Sequence, residues 1–299
     1  MFLNRSHTLF YVVLVLLFAS CVEHKNYIGK DPRNFRETIA YGLVKAVMDE
    51  EEESIVNEVS DKQVPIDFQE PHYGLTALHL AVLNNKIESV RVLLKLGADP
   101  NIASDSINSD GGNAVIYAAQ FQYIDCKILE LLLEYKGNPN SINKGVTTLG
   151  NNTHYPLRMS ALSYASNISK QKVELLVSYG ADVNYKYTDD NALSVCPLEN
   201  AIILGEMDIV LFLLEHGANY DIDFSSKVER TRIGSVDILY RLRQCMFKIG
   251  SDEHKTKMRI VEFLRSRGLD YFKSEIPEYI SNRIKQQYPN TWKEYMEVY

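Results

Sequence analysis

Residues Gly74–Asn101 read GLTALHLAVLNNKIESVRVLLKLGADPN, and this stretch decides the fold of the chain. Its leucines fall at helical spacing, which predicts two short amphipathic helices closed by Gly97. Related stretches start at Asn113, Ser160 and Cys196, so the pattern occurs four times. A single helix pair cannot bury its apolar face without a neighbour, and the four copies therefore predict a stacked array.

The four copies resemble the ankyrin repeat, whose units begin with Thr-Pro-Leu-His-x-Ala and end in Leu-Leu-x-x-Gly-Ala-Asp. The best match is TALHLA at residues 76–81 with LLKLGAD at 93–99, followed by CPLE at 196–199 with LLEHGAN at 213–219. The resemblance implies an all-α fold, an ankyrin-repeat solenoid of helix pairs with elongated β-hairpin fingers and terminal capping helices.

The resemblance also assigns structural roles within each copy. It implies that His79 hydrogen-bonds Thr76 around the turn. The network is expected to be weaker in the third copy, where Ser160 and Ser163 take these places, and in the fourth, where Cys196 and Glu199 do. Each second helix is expected to end at a residue that tolerates positive φ. This predicts positive φ at the closing glycines, which are Gly97, Gly137, Gly180 and Gly217.

The spacing of the copies predicts long fingers. Successive closing glycines lie 40, 43 and 37 residues apart, whereas the family period is about 33. Most of the excess falls in the fingers, and the segment SINKGVTTLGNNTHYPLRM before Ser160 is the longest. Long loops within a compact array usually carry function.

The rest of the chain divides around the array. We expect a lipoprotein signal peptide over 1–20, a tether over 21–32, an ankyrin-repeat array over 33–271 and C-terminal cap helices over 272–299. Within the array we expect a cap at 33–62, repeats at 74–102, 113–142, 160–186 and 196–223, and a degenerate repeat at 235–271. Terminal units of such arrays need a polar outer face.

The first residues are typical of an export signal. Arg5 precedes the apolar run LFYVVLVLLFA, which is much shorter than the ~20 residues of a membrane span and suits a signal peptide. FASC at 18–21 resembles the bacterial lipobox, which implies lipidation of Cys21 and cleavage before it; the alternative is an uncleaved anchor. Both interpretations place the repeats outside the cytoplasm, and Val22 favours the periplasmic face of the outer membrane. An internal start at Met48 would give a cytoplasmic form.

Charge and motifs exclude several function classes. The chain carries a net charge of −7, and Lys and Arg are in excess only from 224 to 299, without the dense cluster that nucleic-acid binding requires. That basic end either lies near anionic headgroups or is a solvated helix face. No hydrolase, phosphate-loop or metal-ligand motif occurs. We therefore expect no catalytic residues, no metal, no cofactor and no small-molecule substrate.

The partner-binding surface is expected on the fingers and at the two positions after the small pair of each first helix, as the resemblance implies. These positions are Leu83 and Asn84, Gln120 and Phe121, Asn167 and Ile168, and Ile203 and Leu204. Their apolar members predict an exposed stripe typical of an interface, unless the fingers fold back and bury it. Aromatic anchors near the fingers are expected at Tyr73, Tyr123, Tyr155, Tyr185 and Tyr187. Acidic finger residues would steer a basic partner, and these are Asp105, Asp110, Asp189 and Asp190.

The combination of lipobox and repeats resembles the immunity proteins that accompany type VI secretion phospholipase effectors. This resemblance implies a non-enzymatic protein that binds and neutralises a lipase-type effector toxin at the envelope. The other interpretation is an envelope adaptor that tethers a protein partner without inhibiting it. A lipase gene beside this one would favour the first interpretation.

Overall fold

The computed structural model describes residues 29–104, 108–149, 153–187, 194–224 and 234–299. The predicted signal peptide, Cys21, Asp105, Asp189 and Asp190 lie outside these ranges. The chain forms two compact units. The first comprises the described residues up to Asn138 together with Asn143–Thr147, and the second comprises Pro139–Ile142 and the described residues from Thr148 to Tyr299.

The first unit consists of three helix pairs. A 3₁₀ turn at Pro32–Phe35 precedes α1 (Tyr41–Asp49) and α2 (Glu52–Ser60), α3 (Ala77–Leu83) and α4 (Ile87–Lys95), and α5 (Ala114–Gln120) and α6 (Cys126–Glu134). The helices of each pair pack together, α1, α3 and α5 form one layer, and α2, α4 and α6 form the other. This two-layered stack is the predicted solenoid.

The second unit repeats the arrangement and ends in helices of another kind. It contains α7 (Ala161–Ala165), α8 (Lys170–Ser178), α9 (Pro197–Leu204), α10 (Met207–Glu215), α11 (Ile238–Gln244) and α12 (Asp252–Arg265). In its two layers, α9 packs on α7 and α11, while α10 packs on α8 and α12. A 3₁₀ turn at Tyr271–Lys273 leads to α13 (Glu278–Gln287) and α14 (Trp292–Val298), which pack on each other.

A β-hairpin forms in the segment predicted to be the longest finger. Its strands are β1 (Val146–Leu149) and β2 (Thr153–Pro156), paired as a two-stranded sheet. The boundary between the two units falls inside β1.

The first helix of each pair from α3 onward begins at a side-chain cap, which satisfies backbone donors that the helix leaves free. The Thr76 hydroxyl accepts from the His79 N–H, while His79 Nδ1 accepts from the Thr76 N–H at 3.0 Å. In α7 the Ser160 hydroxyl accepts from the Ser163 N–H at 3.1 Å, without the reciprocal bond that makes Thr76 and His79 a capping box. The Ser160 and Ser163 hydroxyls are 2.9 Å apart, and the Ser163 hydroxyl also donates to the Val195 carbonyl at 2.8 Å.

Within each unit, asparagine side chains bond the turns that follow successive repeats. The Asn101 amide accepts from the Asn138 N–H at 2.7 Å and donates to the Lys136 carbonyl at 3.0 Å. In the same way, the Asn140 side chain bonds Asp182 and Gly180, and the Asn184 side chain bonds Asn219 and Gly217. Asp67 takes this place after α2 and accepts from the Asp99 N–H at 3.1 Å. The pair α1 and α2, expected as a cap, therefore carries one half of the same link.

The closing residue of the second repeat differs from the prediction. Gly97 has φ +98°, and Gly180 and Gly217 are similar, but Gly137 does not have positive φ. Lys136 takes the left-handed conformation instead, with φ +67°. The sequence LLEYKG places lysine in the glycine slot and Gly137 in the slot of Ala98. A Cβ on Gly137 would lie 2.6 Å from the Leu132 carbonyl oxygen, so this glycine is kept by close packing and not by its φ.

Candidate partner-binding surface

The two residues after the small pair of a first helix are here called the helix-end positions. In the first unit they are Leu83 and Asn84 at the end of α3, and Gln120 and Phe121 at the end of α5. Leu83 is only 8% exposed, so the predicted apolar stripe is wrong at this position. Asn84 is half-buried, and its amide donates to the Leu80 carbonyl at 2.9 Å and to the Lys30 carbonyl at 3.0 Å. Leu83 is covered because it packs into the unit instead of facing solvent.

Phe121 and Tyr123 form the exposed aromatic part of the first unit. The Phe121 ring is half-buried, 6.5 Å from the Tyr117 ring and 5.6 Å from the Tyr123 ring. Tyr123 is 43% exposed, and its hydroxyl donates to the Leu83 carbonyl at 3.1 Å. Burial of that hydroxyl raises the pKa of Tyr123 to about 12. The Lys30 ammonium lies 4.7 Å from the Tyr123 ring centre.

The sequence analysis expected Tyr123 near a finger, and the structure places it elsewhere. It belongs to the turn between α5 and α6, whereas the finger of this repeat precedes α5. A seven-residue helix is about 10 Å long, so Tyr123 and the finger lie at opposite ends of α5. Tyr123 therefore extends the helix-end surface.

The helix-end positions of the second unit are more apolar. Asn167, Ile168 and Ile203 are half-buried, and Leu204 is 38% exposed. Gly205 follows Leu204 with φ +78°, and the Phe247 ring lies 3.4 Å from the place that a Cβ on this glycine would take. Exposed apolar surface is therefore present at Leu204, next to the Phe247 ring.

Two helix-end amides share an unusual feature. The side-chain oxygens of Gln120 and Asn167 are buried and have no hydrogen-bond donor within the part of the chain that the structure describes. A buried acceptor without a donor is destabilising, and such groups in folded proteins call for an explanation other than stability. Each unit thus has one helix-end amide that stability alone does not account for.

The finger tyrosines occupy two different environments. In the first unit Tyr73 is half-buried, its ring lies edge-on to His72 at 4.3 Å, and its N–H donates to the Glu70 carboxylate. In the second unit Tyr155 is half-buried on β2, the Tyr185 hydroxyl donates to the Arg158 carbonyl, and Tyr187 is 39% exposed. The Arg158 guanidinium lies 5.8 Å from the Tyr187 ring centre.

Arg158 was missed by the sequence analysis. The signal that could have identified it is a basic residue within the longest finger, in the run HYPLRM.

Asp110 was expected to be an exposed acidic residue that steers a basic partner, and this prediction is wrong. It is only 8% exposed, and it accepts from the Tyr117 hydroxyl and from the Gly112 N–H. Asp110 therefore holds its own loop and does not face a partner.

His79 occupies a structural position, as predicted. Burial lowers its pKa to about 4, so the ring is neutral at pH 7 and accepts the Thr76 N–H through Nδ1. Cys196 and Cys245 are thiols without a disulfide, and burial raises the pKa of Cys196 to about 12 and of Cys245 to about 11. Within the described ranges no cluster of three or more His, Cys, Asp or Glu side chains could hold a metal ion. None of the helices in these ranges is long and apolar enough to cross a membrane.

Comparison with known proteins identifies the repeats. Residues 36–143 match the family model for ankyrin repeats in three copies. The chain is 30% identical to an ankyrin repeat protein of fowlpox virus over 147 residues, which is 49% of this chain and 29% of that protein.

Two animal proteins are also similar. The chain is 26% identical over 195 residues to transient receptor potential cation channel subfamily A member 1 of Homo sapiens, covering 54% of this chain and 16% of that protein. It is 26% identical over 199 residues to the ankyrin repeat and KH domain-containing protein mask-1 of Caenorhabditis elegans, covering 62% and 8%. The chain thus spans less than a third of the length of each of these relatives. Ankyrin repeats are protein–protein interaction modules, and this is the function that the comparisons support.

Proposed function

We propose that this protein is a non-enzymatic binding module whose protein partner contacts the helix-end positions and the fingers. The observation that carries the proposal is a set of exposed aromatic rings fixed by their own hydrogen bonds or neighbours. Tyr123 is tied to the Leu83 carbonyl, and Tyr187 lies beside the Arg158 guanidinium. Rigid aromatic side chains lose little conformational entropy on binding and often anchor interfaces.

We further propose that the partner is a toxic secreted phospholipase, which the array neutralises by covering its active site or its access to lipid. The support comes from the sequence, where the lipobox-like FASC at 18–21 precedes an ankyrin array. Lipidation of Cys21 would hold the array at the periplasmic face of the outer membrane. Translation from Met48 would remove most of α1, with its buried Leu43 and Val44, and would give an unanchored form.

A toxicity assay tests this function. The full chain is co-produced with a secreted phospholipase whose gene adjoins the gene of this protein, where such a gene is found, and we expect protection of the host cell together with a stable complex. Tyr123→Ala should weaken both, whereas the matched control Tyr135→Ala, at an aromatic of similar exposure (36%) after α6, should not. A complex without protection would favour the adaptor, and absence of a complex would reject the lipase as partner.

The anchor is tested separately. Cys21→Ser should release the mature protein from membrane fractions or leave its precursor uncleaved, because the thiol is the lipid acceptor in lipoproteins. The readout is fractionation beside the wild-type chain. A correctly cleaved Cys21→Ser protein that stays in the membrane fraction would show that lipidation is not the anchor.

A further inference from the structure

The end of the second unit encloses a lysine without an acidic partner. Lys257 on α12 is fully buried, and its ammonium donates to the Cys245 carbonyl at 2.9 Å. The nitrogen lies 4.0 Å from the centre of the Tyr299 ring and 5.1 Å from that of Tyr271. Buried ammonium groups are normally paired with a carboxylate or lose their proton.

A second buried cation shares this space. Arg243 on α11 is 2% exposed, and its guanidinium donates to the Tyr271 carbonyl, to the α-carboxylate of Tyr299 and to the Ser274 hydroxyl. The guanidinium carbon lies 3.8 Å from the Tyr271 ring centre. We call the group formed by Arg243, Cys245, Lys257, Tyr271 and Tyr299 the cation box.

Among the described residues, the groups that face Lys257 include one cation, one thiol and two phenols, but no Asp or Glu side chain. Arg243 stays positive, and burial keeps the Cys245 thiol neutral by raising its pKa to about 11. Burial likewise raises the pKa values of Tyr271 and Tyr299, so both remain neutral. The nearest acid on α10, Asp208, accepts from the neighbouring Thr256 hydroxyl instead. Within the described ranges no Asp or Glu side chain forms an ion pair with Lys257 or Arg243, and the α-carboxylate of Tyr299 accepts from Arg243 and not from Lys257.

The two tyrosine rings favour a charged lysine, but full burial outweighs them. Burial lowers the pKa of Lys257 from 10.5 to about 7, and the positive charge of Arg243 acts in the same direction. The amine is therefore close to losing its proton at neutral pH while the box is closed.

The walls of the box are also the attachment of the last two helices. Tyr271 precedes α13, and Tyr299 follows α14. Tyr299 packs in one apolar cluster with Ile280 and Ile284 of α13, Tyr295 of α14 and Met246. The Tyr295 hydroxyl donates to the Phe247 carbonyl at 2.8 Å. Groups that contact Lys257 thus hold α13 and α14 against the segment that follows α11.

We propose that α13 and α14, with the turn at Tyr271–Lys273, form a proton-controlled latch on the last helix pair. The latch closes when the Lys257 amine releases its proton and loosens when the amine binds one. Opening would expose the apolar cluster and the end of α11, which corresponds in sequence position to the helix-end positions of the other repeats.

The direction of the pH dependence follows from the two states. In the open latch Lys257 is solvated and has its ordinary pKa of 10.5, whereas in the closed latch the pKa is about 7. The open form binds the proton more tightly, so closing becomes more favourable as pH rises between these values. The ratio of open to closed latch should fall roughly fifteenfold from about pH 7 to about pH 8.5.

Trp292 is a built-in reporter, because it is the chain's one tryptophan and lies on α14 against the apolar cluster. Its fluorescence in the full chain is followed through urea unfolding at several pH values in that window. The window stays below the pKa of 9.0 of a solvated Cys245. The wild-type protein should show the fifteenfold change.

Lys257→Met should abolish the change, because methionine fills similar space without a charge. Lys257→Gln serves as the second variant, since it keeps a donor for the Cys245 carbonyl and should also remove the pH dependence. The matched control is Lys255→Met, at an exposed lysine on the same helix whose ion pair is with Asp252; its response should equal the wild type. A wild-type protein without the pH response, or one whose response persists in both Lys257 variants, would overturn the proposal.

Discussion

Helices α3 and α11 occupy the same place in their repeats but bury different side chains. All seven residues of α3 are buried, and its only titratable group, His79, is neutral. Helix α11 also has seven residues, yet it buries Arg241 and Arg243. Their guanidiniums donate to backbone oxygens, that of Phe224 for Arg241 and those of Tyr271 and Tyr299 for Arg243.

The difference shows what a first helix has to satisfy at different places in an array. Helix α3 packs against α1 and α5, two other first helices, whose backbone groups are bonded within their own helices. Small apolar side chains fill that contact. Helix α11 packs on one first helix, α9, and also meets the segments at Phe224, Tyr271 and Tyr299, whose main-chain oxygens accept from its buried arginines. The terminal repeat thus uses hydrogen bonds where an interior one uses close packing.

The largest expected effect comes from removing the donor in α11. Arg243→Met removes the bond to the Tyr299 main-chain oxygen and the bond to the Tyr271 carbonyl, which keeps its bonds from Ser274. A hydrogen bond to a charged group contributes about 1.5–3 kcal/mol. We expect a loss of about 4 kcal/mol in the unfolding free energy, measured by urea unfolding with Trp292 fluorescence. Arg259→Met, at an exposed position of α12, should change it by less than about 0.5 kcal/mol. Equal losses of unfolding free energy in Arg243→Met and Arg259→Met would show that the buried arginine stabilises the fold no more than the exposed one.

The second effect is a loss of stability at acid pH that we expect from α3 and not from α11. The folded-state pKa of His79 is depressed to about 4 from 6.5, so the unfolded chain binds the proton first, and stability is lost as pH falls through this range. The difference of 2.5 units corresponds to about 3 kcal/mol. His79→Gln should remove this part of the acid sensitivity when unfolding is compared at pH 7 and pH 4. Tyr240, which takes the same position in α11, contributes none in this range, so Tyr240→Phe is the control.

The third effect concerns the end of the interior helix α5. Phe121→Asp places a charge between the Tyr117 and Tyr123 rings, and aromatic pairs contribute about 0.5–1.5 kcal/mol each. We expect a loss of about 1–2 kcal/mol in stability and a much larger relative loss of partner binding. Tyr135→Asp, outside this ring group, should leave binding unchanged. A loss of several kcal/mol with normal binding in the folded fraction would mean that Phe121 is a core residue.

The smallest effect tests the closing residues. Lys136→Gly should stabilise the first unit by about 1 kcal/mol, because a left-handed conformation costs lysine about this much and costs glycine little. Gly268 follows α12 as the closing residue of the last helix pair, and its N–H donates to the Arg265 carbonyl. Gly268→Lys should destabilise the second unit by a similar amount, since Gly268 has φ +91° and a Cβ there would meet no other atom within 4 Å. Thermal melting of both variants beside the wild type measures the two changes in stability. Changes of the same sign would contradict the assignment of a shared slot.

The sequence predicted the parts of the fold that local chemistry determines. The Thr76–His79 pair and the closing glycines at Gly97, Gly180 and Gly217 follow from a few adjacent residues. Gly137 was assigned wrongly because LLEYKG can be aligned to LLKLGA in two ways, and only the packing against Leu132 shows which is right. Leu83 was expected to be exposed because family position was used, whereas its burial depends on neighbouring helices.

The cation box could not have been predicted from the sequence. Arg243 and Lys257 look like ordinary charged residues of amphipathic helices, and their contacts Tyr271 and Tyr299 lie far along the chain. Tyr123 is a similar case, because its hydroxyl bonds the carbonyl of Leu83, forty residues earlier. Arg158 had only its place in a long loop to distinguish it. Sites built from different repeats give no local pattern.

The asparagine links have a consequence for how such a chain can change in length. The bonded residues are 37 apart for Asn101 and Asn138, 42 for Asn140 and Asp182, and 35 for Asn184 and Asn219, yet each N–H to oxygen distance is 2.7 Å. Residues added between two asparagines therefore leave the joints undisturbed. Duplication or exchange of a whole segment between neighbouring asparagines would preserve both joints, so new fingers can be acquired without redesigning the helices that carry them.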